Sequence, residues 1–531
     1  MQHPDQYINR HPQTAFYILL ILAVPAFFIN LGLLALFADE PTRANVALEM
    51  ILTNNYSVPT IGGEYYYNKP PFYNWILAGV YLLTGSFSEF VTRLPALVPM
   101  FLFAITIFYS TSWFLKDKRV AAVSGLLFLV NGRMLVYDSM LGHIDIFYSW
   151  LTFIAFIAIF YFYQREQWFW LFFVSYVITS VTFLSKGLPS IVFQGFTIIA
   201  LLIYTRNFKK LFSWQHIVCG IFCLLLIGAY FYNYSQYNPA LGGYLTTIWD
   251  QSSQRTATKV GFWPSVKHII LFPFEHLGHL IPASLLALFC FHKSFWKGIM
   301  QNGFLKFITI TFLANIWVYW LSPETRPRYL LMLYPLLFII WSYSYFTWRE
   351  KLPKTNKVFD VTLVVLAVLV TLAVPSAFFF DLQSVPYLPL KVAVTFLMCL
   401  GFTYLICRLR ASRIFAFIGL LITVRLAFSW FILPHRAAGN AETYFRSAAI
   451  EMGRISDNKP FYFYQYHPHV ASIPFHDRLI FYIQRTKMQQ VKFTESDAKP
   501  GYYLTFDRNL KNPKAVLVKS YRDNLKLFEV K

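Results

Sequence analysis

The 531 residues are 57% hydrophobic and 20% aromatic but only 13% charged, against roughly 25% charged in soluble globular chains. The formal charge of +21 does not point to nucleic acid, because the basic residues lie between apolar segments as membrane topology requires. Cys219, Cys223, Cys290, Cys399 and Cys407 all sit in or beside apolar segments, which argues against a disulfide framework or a zinc site.

The first apolar segment, 15–37, exceeds the ~20 residues needed to span a bilayer. No small-residue cleavage site follows, so it reads as a retained span rather than a signal peptide. Beyond it comes Phe37-Ala38-Asp39-Glu40-Pro41-Thr42-Arg43, and about twenty residues later Gly63-Glu64-Tyr65-Tyr66-Tyr67-Asn68-Lys69-Pro70-Pro71. A helix starting near Asp39 puts Arg43 on one face with both acids. In a soluble protein the helix dipole alone would explain those acids. At the edge of a span, beside a second basic cluster, they read as functional. Lys69 precedes two prolines that hold its backbone extended.

Further apolar segments follow at 93–115, 119–137, 143–163, 168–185, 187–204, 213–232, 269–291, 303–321, 329–347, 358–380, 386–407 and 412–433. With the first they predict about thirteen membrane helices. Loops rich in Lys and Arg, such as 116–119, 206–210, 349–357 and 408–413, alternate with loops nearly free of them. The positive-inside rule assigns the basic set and the N-terminus to the cytoplasm. The regions 38–92 and 233–268 and everything after about 434 then lie outside.

Asp145, in Met140-Leu-Gly-His143-Ile-Asp145, falls at the outer end of its span. An ionisable residue at membrane depth is a functional candidate because its burial is costly, the alternative being a partner for an outer cation. Asp138 reads as solvated. Lys186 lies in Ser185-Lys186-Gly187, Arg255 in the outer loop, and Arg326 and Arg328 in Ser322-Pro-Glu-Thr-Arg326-Pro327-Arg328-Tyr329. With Arg43 and Lys69 these cations stand on the outside, against the topological trend. Singly, each reads as a side chain snorkelling to lipid headgroups. Together they read as a phosphate site, since guanidinium forks match phosphate oxygens and lysine adds point charge. Glu275, His276 and His279 form the one group with metal-ligand spacing, and an interfacial polar cap explains it equally well.

After about 435 the chain changes character. Phe461–Tyr466, Tyr502–Phe506, Ala515–Val518 and Leu525–Phe528 read as strands, and Ala441–Ile455 as an amphipathic helix. The prediction is a transmembrane catalytic domain over 1–434 and a small soluble α/β domain over 435–531.

The acidic pair followed by an arginine and a Glu-Met helix, then an aromatic stretch ending in Lys-Pro-Pro, resembles a known group. These are the bacterial 4-amino-4-deoxy-arabinose lipid A transferases and their protein mannosyltransferase relatives, of the glycosyltransferase C superfamily. Asp145, Lys186-Gly187 and Arg328-Tyr329-Leu-Leu occur in the expected order, and the resemblance covers essentially the whole chain. It implies transfer of a sugar from a polyprenyl-phosphate donor to lipid A, another glycan or a protein, on the outer face of a bacterial inner membrane. It implies that Asp39 or Glu40 activates the acceptor, that Arg43, Lys69, Arg255 and Tyr329 contact the donor phosphate, and that Asp145 orients sugar or acceptor. It also implies a carboxylate at a divalent-metal position just before the lysine. Here that residue is Asn68, and no metal is assigned. The chemistry agrees with the resemblance: a phosphate leaving group needs cations more than an acid, and one outer carboxylate suffices as base. A transporter or flippase of an anionic lipid is the alternative, disfavoured by cations clustered on one side and by the lack of an inverted repeat.

Overall fold

The computed structural model describes residues 4–238, 240–253, 261–380, 382, 385–464, 476–507 and 509–531. The chain forms two compact units, one of residues 1–31, 96–227 and 249–435, the other of 32–95, 228–248 and 436–531.

The first unit is helical and reads as membrane-spanning. Among the described residues nine helices are long and apolar enough to cross a bilayer, or ten if one bent pair counts as a span. The expected thirteen shrink at four segments, of which 329–347 yields only the 15-residue helix Tyr334–Trp348. Helix Pro12–Phe28 stops early, because Asn30 adopts a left-handed backbone (φ 60°) just beyond its end. Helix Pro189–Tyr204 is too short. The apolar run at 269–291 breaks into Phe262–His279 and Ala283–Phe291, bent by 117° where Pro282 cannot donate to the helix ladder.

Helix Lys118–Val130 is apolar on every side, and each residue from Val120 to Val130 is buried, as such a pattern requires. It packs on Pro12–Phe28, Arg413–Ala427 and Tyr334–Trp348. Gly125 permits one close approach: a Cβ there would meet the Ala104 carbonyl at 2.7 Å. By contrast the apolar stretches of Pro353–Phe379 and Leu388–Arg408 are only 17% and 22% buried, which leaves them facing lipid.

In the second unit, helix Glu40–Thr53 and the hairpin Thr60–Ile61/Glu64–Tyr65 share one core with the tail. The hairpin turns on Gly62 and Gly63, both at positive φ, as a two-residue turn demands. A side chain on Gly62 would also strike the Phe493 ring. The tail sheet has five strands in the order Lys492–Thr494, Phe461–Tyr464, Gly501–Phe506, Leu525–Val530, Ala515–Ser520. Its first two pairings are parallel and its last two antiparallel. Helix Ala441–Ile455 buries Phe445, Ala448, Ala449 and Met452, the 3–4 spacing of one helical stripe. A second helix, His476–Lys487, and the short strand Lys492–Thr494 were not anticipated. The predicted segment Gln465–Tyr466 lies outside the described residues.

Candidate active site

In the membrane unit, the start of helix Ile144–Gln164 and the end of helix Trp168–Lys186 carry Asp145 and Lys186, and the two helices pack together. Gly187 ends the second helix immediately after Lys186 with φ 85°, a conformation a side chain would resist. Arg328 and Tyr329 come from the short turn Pro327–Leu330 that precedes helix Tyr334–Trp348. These elements bring four of the predicted residues into one cluster.

Lys186 Nζ donates to Asp145 Oδ1 at 2.5 Å, and Arg328 Nε lies 3.3 Å from Oδ2. Arg328 Nη1 is 3.2 Å from His143 Nδ1. Because a guanidinium only donates, His143 accepts there and carries its ring proton on Nε2. The Lys186 ammonium lies over the Tyr148 and Tyr329 rings, 4.7 and 4.5 Å from their centroids, so aromatic faces add to its stabilisation. All six side chains are buried. One carboxylate is therefore shared by two cations in a site screened from bulk water. His143 was missed as a functional residue, although it stands two positions before Asp145. Arg326, at the head of the turn, is exposed. Arg255 lies outside the described residues.

Asp138 is not solvated. It is buried and takes a bidentate hydrogen bond from Arg133, Nε at 2.8 Å and Nη2 at 2.6 Å. Burial pushes its carboxyl above the usual range and Arg133 counters that. Of the candidate metal group Glu275, His276 and His279, both histidines commit Nδ1 to a hydrogen bond. His276 Nδ1 is hydrogen-bonded with the Tyr334 hydroxyl at 2.9 Å, and His279 Nδ1 with the backbone carbonyl of Glu275. Among the described residues no group of three or more His, Cys, Asp or Glu side chains is arranged to hold a metal ion. Asn68 is exposed, and its amide is a poor stand-in for a carboxylate ligand.

In the second unit the adjacent acids separate. Glu40 is fully buried and bidentate to Arg93, at 2.8 and 3.0 Å. Arg93 also donates to the carbonyls of Leu34 and Ala35, and Glu40 accepts from the Phe37 backbone N–H. Asp39, at the helix N-cap, is exposed. One turn on, Arg43 is buried; its Nη2 donates to the Tyr66 hydroxyl at 2.9 Å while its buried Nη1 has no hydrogen-bond partner among the described residues. The tail contributes Asp477, whose Oδ2 accepts from Thr42 Oγ1 at 2.6 Å and whose carbonyl accepts from Asn45. Burial raises the Tyr66 phenol; Arg43 lowers it, and the nearby Asp477 and Asp39 raise it again. Lys69 is half-buried, its carbonyl accepting from the Tyr244 hydroxyl.

The family described as dolichyl-phosphate-mannose-protein mannosyltransferase matches residues 68–232, a stretch that includes Lys69, Asp145 and Lys186. An uncharacterized protein of Aquifex aeolicus is 23% identical over 458 residues, covering 84% of this chain and 86% of its own. The undecaprenyl phosphate-alpha-4-amino-4-deoxy-L-arabinose arabinosyl transferase of Shewanella sediminis is 30% identical over 212 residues, 37% of each chain. The crystal structure of ArnT from Cupriavidus metallidurans bound to undecaprenyl phosphate matches with a TM-score of 0.68 at 16% identity, covering 97% of this chain and 98% of that one. The fold is that of the glycosyltransferase C superfamily. The chain is a multi-pass membrane glycosyltransferase resembling the ArnT and protein mannosyltransferase group, and the transporter alternative is not favoured.

Proposed function

We propose that the protein moves a sugar from a polyprenyl-phosphate donor to a lipid, glycan or protein acceptor, at the outer face of a bacterial inner membrane. The observation that carries this reading is the convergence of Lys186 and Arg328 on Asp145, inside a membrane unit of this fold. Two fixed cations in a dry setting stabilise the charge that develops on a departing phosphate, without having to reorganise during the reaction. Asp145 holds them in place and keeps their mutual repulsion in check. The resemblances to a mannosyl and an arabinosyl transferase support the donor class.

The acceptor hydroxyl or amine attacks the anomeric carbon, the bond from that carbon to the phosphate oxygen breaks, and polyprenyl phosphate leaves as the anion. The acceptor's proton passes to Asp39. Of the two adjacent acids only Asp39 is exposed, whereas Glu40 has both oxygens committed to Arg93. A single displacement inverts the anomeric configuration. The family resemblance gives Arg43 a contact with a donor phosphate oxygen, and its buried Nη1 has no hydrogen-bond partner among the described residues.

Purified protein supplied with polyprenyl-phosphate sugar and extracted envelope lipid should release free polyprenyl phosphate. Asp39→Asn should abolish that release while leaving the unfolding temperature unchanged. Full activity of Asp39→Asn would sink the assignment of the base, and the absence of any release from the unaltered protein would sink the donor.

A further inference from the structure

A second charged site lies in the membrane unit, at the end where the basic loops 349–357 and 408–413 meet. It is a cavity of about 860 Å³. Arg349, Lys357, Arg410 and Arg413 line it, with only Glu350 and Asp360 opposing them. Two of the cations are fixed in place. Arg413 is nine-tenths buried, pairs with Asp360 Oδ2 at 2.7 Å and donates to the Ile406 carbonyl at 2.7 Å. Arg349 donates to the Ala411 carbonyl at 2.9 Å. Lys357 and Arg410 are exposed at the rim.

An internal anion already occupies the backbone of this corner. The Asp5 carboxylate accepts from the N–H groups of Arg410, Ala411 and Ser412, so the side chains are left for an external ligand. Beyond Pro353, Asn356 and Ala411, the wall continues over Val361, Val364 and Val365 of helix Pro353–Phe379, the least buried of the described spans. That wall runs from the charged end along a lipid-facing helix. A soluble phosphate would satisfy the cations and leave the valines wet.

We infer that this cavity binds the headgroup of an anionic glycerophospholipid. The phosphodiester rests among Arg349, Lys357, Arg410 and Arg413, and an acyl chain lies along the valine face. Basic pockets between membrane helices on the positively charged side are suited to such headgroups. The site is built from residues other than those of the Asp145 cluster, and its lipid does not depend on which sugar or acceptor the enzyme uses.

The test uses the full-length protein in neutral detergent, titrated with phosphatidylglycerol, phosphatidylcholine or sn-glycerol 3-phosphate and followed by native mass spectrometry. Phosphatidylglycerol should be retained in preference to phosphatidylcholine, and glycerol phosphate should not displace it. The double variant Lys357→Gln/Arg410→Gln should bind phosphatidylglycerol about 30-fold more weakly, about fivefold for each exposed cation. Lys357→Arg/Arg410→Lys should keep the affinity, and Lys186→Met should leave it untouched. Should the double variant not fold, Lys357→Gln alone carries the test through its fivefold loss. Equal binding of phosphatidylcholine, displacement by glycerol phosphate, or loss of binding in Lys186→Met would each overturn the inference.

Discussion

Two buried ion clusters, one in each unit, look alike in sequence and differ in what they leave available. Glu40 and Arg93 close on each other: both carboxylate oxygens face the guanidinium, which also donates to the carbonyls of Leu34 and Ala35. In the membrane unit Asp145 is shared between Lys186 and Arg328, and Lys186 rests on two aromatic faces. The first arrangement has the stoichiometry of a structural bolt. The second gathers two cations around one acid, the composition of a site that meets an anion. Burial alone does not separate the two cases; the inventory of donors and acceptors does.

The largest effect expected from breaking this contrast is on stability. Arg93→Met leaves Glu40 charged, buried and without its bidentate partner, a change that costs about 3–5 kcal/mol. It should appear as a large drop in the thermal unfolding temperature of the detergent-solubilised protein. Asp39→Asn, one residue away from Glu40 but exposed, should not move that temperature. Equal destabilisation by both changes would show that the adjacent acids do not divide into a structural and a chemical member.

The converse holds in the membrane unit. Lys186→Met keeps the aliphatic stem between Tyr148 and Tyr329 and removes the charge. Turnover should fall roughly 10²- to 10³-fold, the usual cost of losing one preorganised electrostatic group. The unfolding temperature should fall far less than for Arg93→Met, since Arg328 still pairs with Asp145. Measuring both quantities on both variants tests whether bolt and site are separable.

Much of this was legible in the sequence, and what was not is physically specific. The spans follow from hydropathy, because a helix that must satisfy its backbone in lipid needs an uninterrupted apolar run. The 262–291 bend escaped because apolarity continues across Pro282 while the helix axis does not. Asp145, Lys186 and Arg328 were each suspect as charged residues at the outer ends of spans, and Tyr329 through the family resemblance. That they converge could not be read, since Asp145 and Lys186 stand 41 positions apart. Nothing local in the sequence pairs Arg93 with Glu40, 53 positions earlier. Asp477 gave no signal at all: it sits in a tail read mainly as strands, and its contact with Thr42 spans 435 positions.

Glu49 sharpens the comparison from a third direction, as a buried acid held without a cation among the described residues. Its oxygens accept from Thr60, the Gly62 and Gly63 backbone, Gln484 and Gln490, tying the hairpin to the tail. Burial pushes its carboxyl above the ordinary 4.5, and these donors counter it. Its contribution to stability is therefore complete below pH 4.5 and declines as pH rises through the raised value. Glu49→Gln turns an amide donor towards groups that donate, at a cost of about 1–3 kcal/mol. The deficit, followed by thermal unfolding, should narrow as pH rises, because only the unaltered protein titrates. A deficit that widens instead would mean that the five donors outweigh burial.

Asp5 should give the smallest effect, with the opposite sign. Burial would raise its carboxyl, but hydrogen bonds from Ala411, Ser412 and Arg410 outweigh that and hold it below the ordinary 3.8. A depressed carboxyl contributes stability that is present above the unfolded value and is lost as pH falls through the folded one. Asp5→Asn should lower the unfolding temperature slightly at neutral pH, and the difference should vanish on acidification below 3.8. Asp5 remains partly exposed, so solvent screening keeps the effect well below that of Arg93→Met. A difference that persists in acid would show that the contact works through the neutral carboxyl, and would remove the reason for treating the 410–412 backbone as an anion seat already filled.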